Sequence, residues 1–200
     1  MRRLKLAILI SGRGSNMEAL LKAAASDPDF PAEPVLVVSN KPDALGLVLA
    51  EAAGVTALAL DHRRFGKDRE AFERELDAAL QAAGAEIIAL AGFMRVLTEW
   101  FVTRWEGRMI NIHPSLLPKY TGLDTHQRAI DAGDTEAGCT VHWVSAGVDE
   151  GEIIAQASVP ILPGDTADTL AARTLPAEHK LYPEALKIAC KTITEKQAHG

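Results

Sequence analysis

Short apolar runs that stop at turn residues alternate with stretches of helical spacing through the first half of the chain. This pattern restricts it to strand-helix-strand units on a mostly parallel sheet. KLAILI at residues 5–10 reads as the first strand and MEALLKAAAS at 17–26 as a helix. PVLVVSN (34–40), ALGLVLAEAAG (44–54) and TALALD (56–61) continue as strand, helix and short strand. From Asp68 to Ala83 the spacing predicts a clearer helix, with Phe72, Leu76, Ala79, Leu80 and Ala83 on one face and charged residues opposite. EIIALAG (86–92), TEWFVTRW (98–105) and RMINIH (108–113) repeat the alternation. Then it changes. GCTVHWVS (138–145) and EIIAQASVPI (152–161) are joined only by AGVDEG, too short for a parallel crossover, so an antiparallel hairpin is predicted. A last helical region at 166–190 is expected to be interrupted by Pro176 and Pro183. The fold class is α/β: a twisted, mostly parallel sheet with helices on both faces. A single domain over 1–200 is expected, with a Rossmann-like, mononucleotide-binding half at about 1–105 and a second half at about 106–200.

Several function classes are unfavourable. With 200 residues and 48% hydrophobic content, the chain can bury a full core. MRRLKLAILI has basic residues before an apolar run, but the run is short and ends in a glycine turn rather than a cleavage site, so it reads as a strand and not a signal peptide. No apolar stretch nears the roughly 18 residues of a membrane span. Cys139 and Cys190 sit in no metal or redox spacing, and both are expected as free thiols in a cytoplasmic setting. A net charge of -6 argues against bulk nucleic-acid binding. Small-molecule chemistry remains, in a monomer or a homodimer.

Residues 109–119 read MINIHPSLLPK, with an amide and an imidazole two residues apart in an apolar strand. Side chains alternate in extended chain, so Asn111 and His113 share one face while Ile110 and Ile112 share the other. Pro114 favours extended geometry at His113. Earlier, SGRGSN (11–16) forms the first strand-to-helix turn. Its glycines permit close backbone approach, and Ser15 and Asn16 are expected caps at a helix N-terminus that favours an anion. It is neither a Walker loop nor a full dinucleotide fingerprint, since Met17 replaces the third glycine. A mononucleotide phosphate fits it, and so does a tight turn without ligand. Asp149 fits a third site residue or an ordinary turn aspartate. His142 reads best as a satisfied core histidine, and His126 as the start of a helix after Thr125. No histidine or cysteine spacing has the form of a metal site, so none is expected.

SGRGSN, LAGFMRVL (90–97), NIHPSLLPKYTG (111–122), the loop ending in Asp149 and AEHKLYP (177–183) together resemble the folate-dependent formyltransferase superfamily, and within it the glycinamide ribonucleotide formyltransferases. The resemblance runs nearly end to end. It implies the formyltransferase fold and transfer of the formyl group of 10-formyltetrahydrofolate to the amino group of a phosphoribosyl glycinamide in purine synthesis. Carried over by position, it implies catalytic roles for Asn111, His113 and Asp149. Gly14, Ser15, Asn16, Met17 and Glu18 would line the phosphoribosyl site, with Glu178 on the ribose hydroxyls. Arg69, Met94, Arg95, Val96 and Leu97 would line the folate pocket with Asn111 and with Ser145, Ala146, Gly147, Val148 and Asp149. Thr121 stands where the family has a proline, and Pro176 falls in a helical stretch beside Glu178. The residue types suit the chemistry: Asn111 and protonated His113 can donate to the oxygen of a tetrahedral intermediate. Asp149 would favour the charged imidazole, which could then protonate the leaving folate nitrogen. Rival readings are a formyltetrahydrofolate hydrolase, which usually carries an N-terminal regulatory domain, and a methionyl-tRNA formyltransferase, which would want a basic surface. A non-catalytic nucleotide-binding module and a dinucleotide oxidoreductase complete the set.

Overall fold

A computed structural model describes residues 2–198. Seven strands form one sheet: β1 (Leu4–Ile10), β2 (Ala32–Ser39), β3 (Ala57–Ala59), β4 (Ile87–Leu90), β5 (Met109–His113), β6 (Glu136–Trp143) and β7 (Ile153–Pro160). Their spatial order is β3-β2-β1-β4-β5-β6-β7. The first five strands pair in parallel, while β6 runs antiparallel to β5 and to β7, which confirms the hairpin. Between the strands run the helices α1 (Ser15–Ser26), α2 (Leu45–Ala52), α3 (Arg69–Ala82), α4 (Glu99–Arg104) and α5 (Thr125–Asp131), and α6 (Ala167–Ala198) follows β7. Among the described residues no helix is long and apolar enough to cross a membrane.

Alternation along β1 sends its residues into two cores. Leu4, Leu6, Ile8 and Ile10 join Met17, Leu20 and Leu21 of α1 and Tyr182, Leu186 and Ile193 of α6 on one face. Ala7 and Leu9 join Phe72, Leu76 and Leu80 of α3 and Phe101 and Val102 of α4 on the other. Burial of these apolar side chains on each side is what holds a parallel sheet.

Two expectations about helices need correction. The C-terminal region is one helix of 32 residues that continues through Pro176 and Pro183 and past Cys190. Each proline removes one main-chain bond, yet Leu170, Thr174, Glu178, Tyr182, Ala185, Leu186, Ala189, Cys190 and Ile193 form a buried stripe at helical spacing, and packing of that stripe outweighs the loss. On α3 the charged residues do not all lie opposite the apolar face, because Glu73 sits on it, buried beside Phe72 and Leu76.

Tyr182 ties α6 to the sheet. Its ring is fully buried, and its hydroxyl donates to the Leu90 carbonyl at 2.8 Å, with the Ile110 carbonyl 3.4 Å away. Burial holds the phenol well above its ordinary pKa, so it stays protonated as a donor. Tyr182→Phe keeps the ring and deletes the donor. It is expected to lower unfolding free energy by about 1–2 kcal/mol, read as a shift in urea midpoint at constant slope.

Candidate active site

Strand order reverses between β1 and β4. The chain builds outward from β1 through β2 and β3, then returns to lay β4 on the other edge of β1. The loops leaving these two strands diverge to opposite faces, and a crevice opens between them at the carboxyl ends. Residues 11–14 and 91–98 border it, and Ser11 links them: its hydroxyl accepts the Met94 N–H at 2.8 Å and donates to Asn40 Oδ1 at 2.5 Å.

On β5, Ile110 and Ile112 enter the core beneath α6, which sends Asn111 and His113 to the opposite face as alternation required. The apolar cover from α3 and α4 reaches β5 only at Met109. Register sets Asn111 opposite His142 and His113 opposite Thr140. Asp149 reaches over this face from the β6–β7 loop. Its Oδ2 lies 3.3 Å from His113 Nδ1 and accepts the Gly122 N–H at 2.9 Å, and its Oδ1 lies 3.7 Å from His142 Nε2. Burial alone would raise this carboxyl. The His142 and Gly122 hydrogen bonds and the charges of His113 and His142 outweigh it and hold the group below its ordinary value. The ionised form therefore contributes stability above the ordinary carboxylate range, which is lost as pH falls through the lowered value.

Each ring nitrogen of His113 has a partner, since Nε2 lies 2.8 Å from the Tyr120 carbonyl. A carbonyl and a carboxylate both accept, so the ring serves both as donor only when it carries two protons. His142 differs. Its Nδ1 donates to the Trp143 carbonyl at 2.9 Å, and its Nε2 lies 3.3 Å from Asn111 Nδ2 and 3.7 Å from Asp149 Oδ1, accepting from the amide when the ring is neutral and turning its proton to the carboxylate when the ring is charged. Asn111 then keeps a second N–H. His142 is thus not merely a core histidine: the antiparallel register, invisible in the linear sequence, brings it into the cluster. Tyr120 and Asp149 both have φ of 56°, left-handed backbone unusual outside glycine. His126, the second residue of α5, begins a helix as expected.

At the first turn, Gly14 rather than Ser15 or Asn16 is the N-cap of α1, with φ 74°. Ser15 and Asn16 already lie in the helix, and Glu18 N–H makes the first helical bond to the Gly14 carbonyl at 2.9 Å. The amides of Ser15, Asn16 and Met17 precede that bond and point out of the N-terminus. The Met17 side chain is fully buried in the core, so only its backbone faces the crevice. Glu18 Oε2 lies 3.9 Å from Arg13. Asn16 donates to Glu178 Oε2 at 2.8 Å, while its own Oδ1 is buried without a hydrogen-bond partner among the described residues. Burial raises the Glu178 carboxyl, and the Asn16 bond opposes the rise. Arg13, Ser15, Lys22, His179 and Lys180 line an adjoining groove of about 820 Å³ between α1 and α6. Arg13 and His179 were passed over in the sequence, although a cation inside a glycine turn and a histidine next to Glu178 were there to be seen.

The remaining candidates sit on two loops. Arg69 opens α3 and donates to the Val96 carbonyl at 3.4 Å, and the Arg95 guanidinium lies 5.0 Å over the Phe72 ring. Met94 is 70% and Val96 61% exposed, apolar side chains in water at the crevice lip, while Leu97 packs on the core under it. Ser145, Ala146 and Val148 are exposed in the loop that carries Asp149. At Gly147 a Cβ would come within 2.1 Å of the Glu150 carboxylate. Thr121, at the position expected to be proline, gives its carbonyl to Arg128 Nη1 at 2.6 Å.

Residues 4–186 match the formyl transferase family. A phosphoribosylglycinamide formyltransferase of Haemophilus influenzae is 45% identical over 183 residues, covering 92% of this chain and 85% of that protein. A trifunctional purine biosynthetic protein of Drosophila melanogaster is 52% identical over 186 residues, and there the match covers 92% of this chain but only 14% of the relative's length. The crystal structure of phosphoribosylglycinamide formyltransferase from Brucella melitensis superposes with a TM-score of 0.89 at 54% identity, covering 94% of this chain and 96% of that one. Together with the seven-stranded mixed sheet, these likenesses establish that the chain belongs to the formyl transferase family, in its phosphoribosylglycinamide formyltransferase branch.

Proposed function

We propose that this chain transfers the formyl group of 10-formyltetrahydrofolate to the amino group of phosphoribosyl glycinamide, giving the formylated ribonucleotide of purine synthesis. The observation that carries this reading is the Asp149–His113–Asn111–His142 cluster, set beside a helix N-terminus whose first amides lead into the same crevice. The α1 amides and Arg13 suit a phosphate, and the unpartnered Asn16 Oδ1 with Glu178 suits ribose hydroxyls. The apolar lip of Met94 and Val96 suits a flat, partly apolar co-substrate. Buried thiols at Cys139 and Cys190, each pushed up to about 12 chiefly by burial, suit a reducing cytoplasm.

In the reaction the amine lone pair attacks the formyl carbon and the carbonyl electrons move onto oxygen. The spare N–H of Asn111 and the cationic ring of His113 face that charge, the ring giving up its Tyr120 partner to do so. Collapse breaks the bond to the folate nitrogen, which takes a proton from His113. Asp149 holds the ring in orientation and accepts, through water, the proton the amine loses. Purified protein with 10-formyltetrahydrofolate is expected to release tetrahydrofolate only when the ribonucleotide is added. Release without it would favour a hydrolase, and no release at all a binding module.

Three further outcomes are expected. His113→Ala should reduce turnover by roughly 10²–10⁴-fold and Asn111→Ala by roughly 10²–10³-fold, with Asp149→Asn also slow and double variants well short of additive, all read by steady-state kinetics. Gly14→Val places a β-branched residue at φ 74° with its Cβ about 3.2 Å from Met17 Cε, and calorimetry should show ribonucleotide affinity falling far more than folate affinity. Since side chains supply every donor in this scheme, exhaustive chelation should leave the turnover rate unchanged.

A further inference from the structure

The segment from Phe93 to Leu97 has no regular structure, and Met94 and Val96 are too exposed to anchor it by burial. Phe93 and Leu97 pack on the α3–α4 core, and side chains grip the backbone from outside as well, Arg69 donating to the Val96 carbonyl at 3.4 Å. At the near end Ser11 accepts the Met94 N–H, with its own proton directed to Asn40 Oδ1. At the far end Glu73, 2% exposed, accepts the Thr98 N–H at 2.8 Å through Oε1 and the Thr98 hydroxyl through Oε2. Thr98 is the N-cap of α4, its Oγ1 accepting the Phe101 N–H at 3.4 Å. A buried carboxylate on the apolar face of a helix costs stability unless its oxygens are satisfied, and here both are spent on one residue at the end of this loop.

We propose that Ser11 and Glu73 are positioning residues that clamp the two ends of the Phe93–Leu97 segment in the shape that receives the formyl-folate co-substrate. The inference rests on the assignment of that segment to the folate subsite. Neither residue reaches the reacting atoms. Glu73 acts through Thr98, and Ser11 through Met94.

Loss of either clamp leaves a backbone N–H without its partner and lets the segment move, so binding at this subsite must supply the ordering. Glu73→Ala is expected to raise KM for 10-formyltetrahydrofolate roughly 5- to 100-fold while KM for the ribonucleotide and kcat stay within about threefold. Glu73→Gln, which keeps an acceptor of the same size, should recover most of the affinity. Ser11→Ala should likewise raise the folate KM, and Ser11→Thr, which keeps the hydroxyl, should restore it. Hydrogen exchange should show faster exchange at the Met94 and Thr98 amides in both alanine variants, without loss of protection in β1 or β4. Wild-type calorimetry with the formyl folate separates the two claims. If the wild type fails to bind it, the functional assignment falls. If the wild type binds and both alanine variants bind equally well with unchanged exchange, or if kcat and both KM values move together with no rescue by Gln or Thr, the clamp is overturned and the residues serve only the fold.

Discussion

The constraint behind everything else is the reversal of strand order between β1 and β4. A parallel sheet requires crossovers on its faces, and where successive crossovers diverge no helix covers the strand ends. That uncovered edge is where an anion can meet the free amides of α1 and where the loop after β4 can reach solvent without exposing the core. Both features depend on the two apolar cores being closed elsewhere. Ile8 and Ile10 on one face and Ala7 and Leu9 on the other hold β1 in the sheet interior between β2 and β4, so the glycine turn that follows it is presented from a rigid base.

The second half of the chain answers a different need. A parallel neighbour to β5 would require another crossover helix, whereas the antiparallel hairpin brings a strand alongside β5 with a loop free to fold back over the sheet. Asp149 exploits this. One carboxylate joins the hairpin loop to β5 through His113, to β6 through His142 and to the Tyr120–Gly122 turn through the Gly122 amide. The charge is tolerated at partial burial because each of its neighbours offers a proton or a positive charge, and the unusual backbone at Asp149 and Tyr120 is held by the same contacts.

The fold was legible because its signals are local. Apolar alternation placed all seven strands, the short AGVDEG connection implied the antiparallel turn, and the face shared by Asn111 and His113 followed from strand geometry alone. Errors arose where tertiary packing decides. Pro176 and Pro183 are breakers by local rules, but a long buried stripe carries α6 through them. Ser15 and Asn16 are favoured caps, yet the positive φ needed at the turn gave that place to Gly14 and released Asn16 to bond Glu178, 162 positions away. His142 looked like an interior histidine because its neighbours in sequence are apolar, and only the register with β5 shows what it faces.

Five of the polar residues that break the apolar pattern share a location. Glu73 departs from the core face of α3, His142 from the buried run of β6, Glu178 from the stripe of α6, and Asn111 and His113 from β5. Each desolvated polar group costs stability, and a chain selected for packing alone would fill these places with apolar side chains. Glu73, His113 and Glu178 meet Thr98, Asp149, the Tyr120 carbonyl and Asn16, on loops or helix ends bordering the crevice, while Asn111 and His142 face each other across β5 and β6 beside Asp149. These exceptions therefore form one system: buried polar groups within regular elements fix the loops and helix ends at the crevice. Hydrogen bonds from Ser11, Arg69 and Glu73 add to the packing of Phe93 and Leu97, which is why apolar Met94 and Val96 can remain in water without the loop that bears them losing its shape.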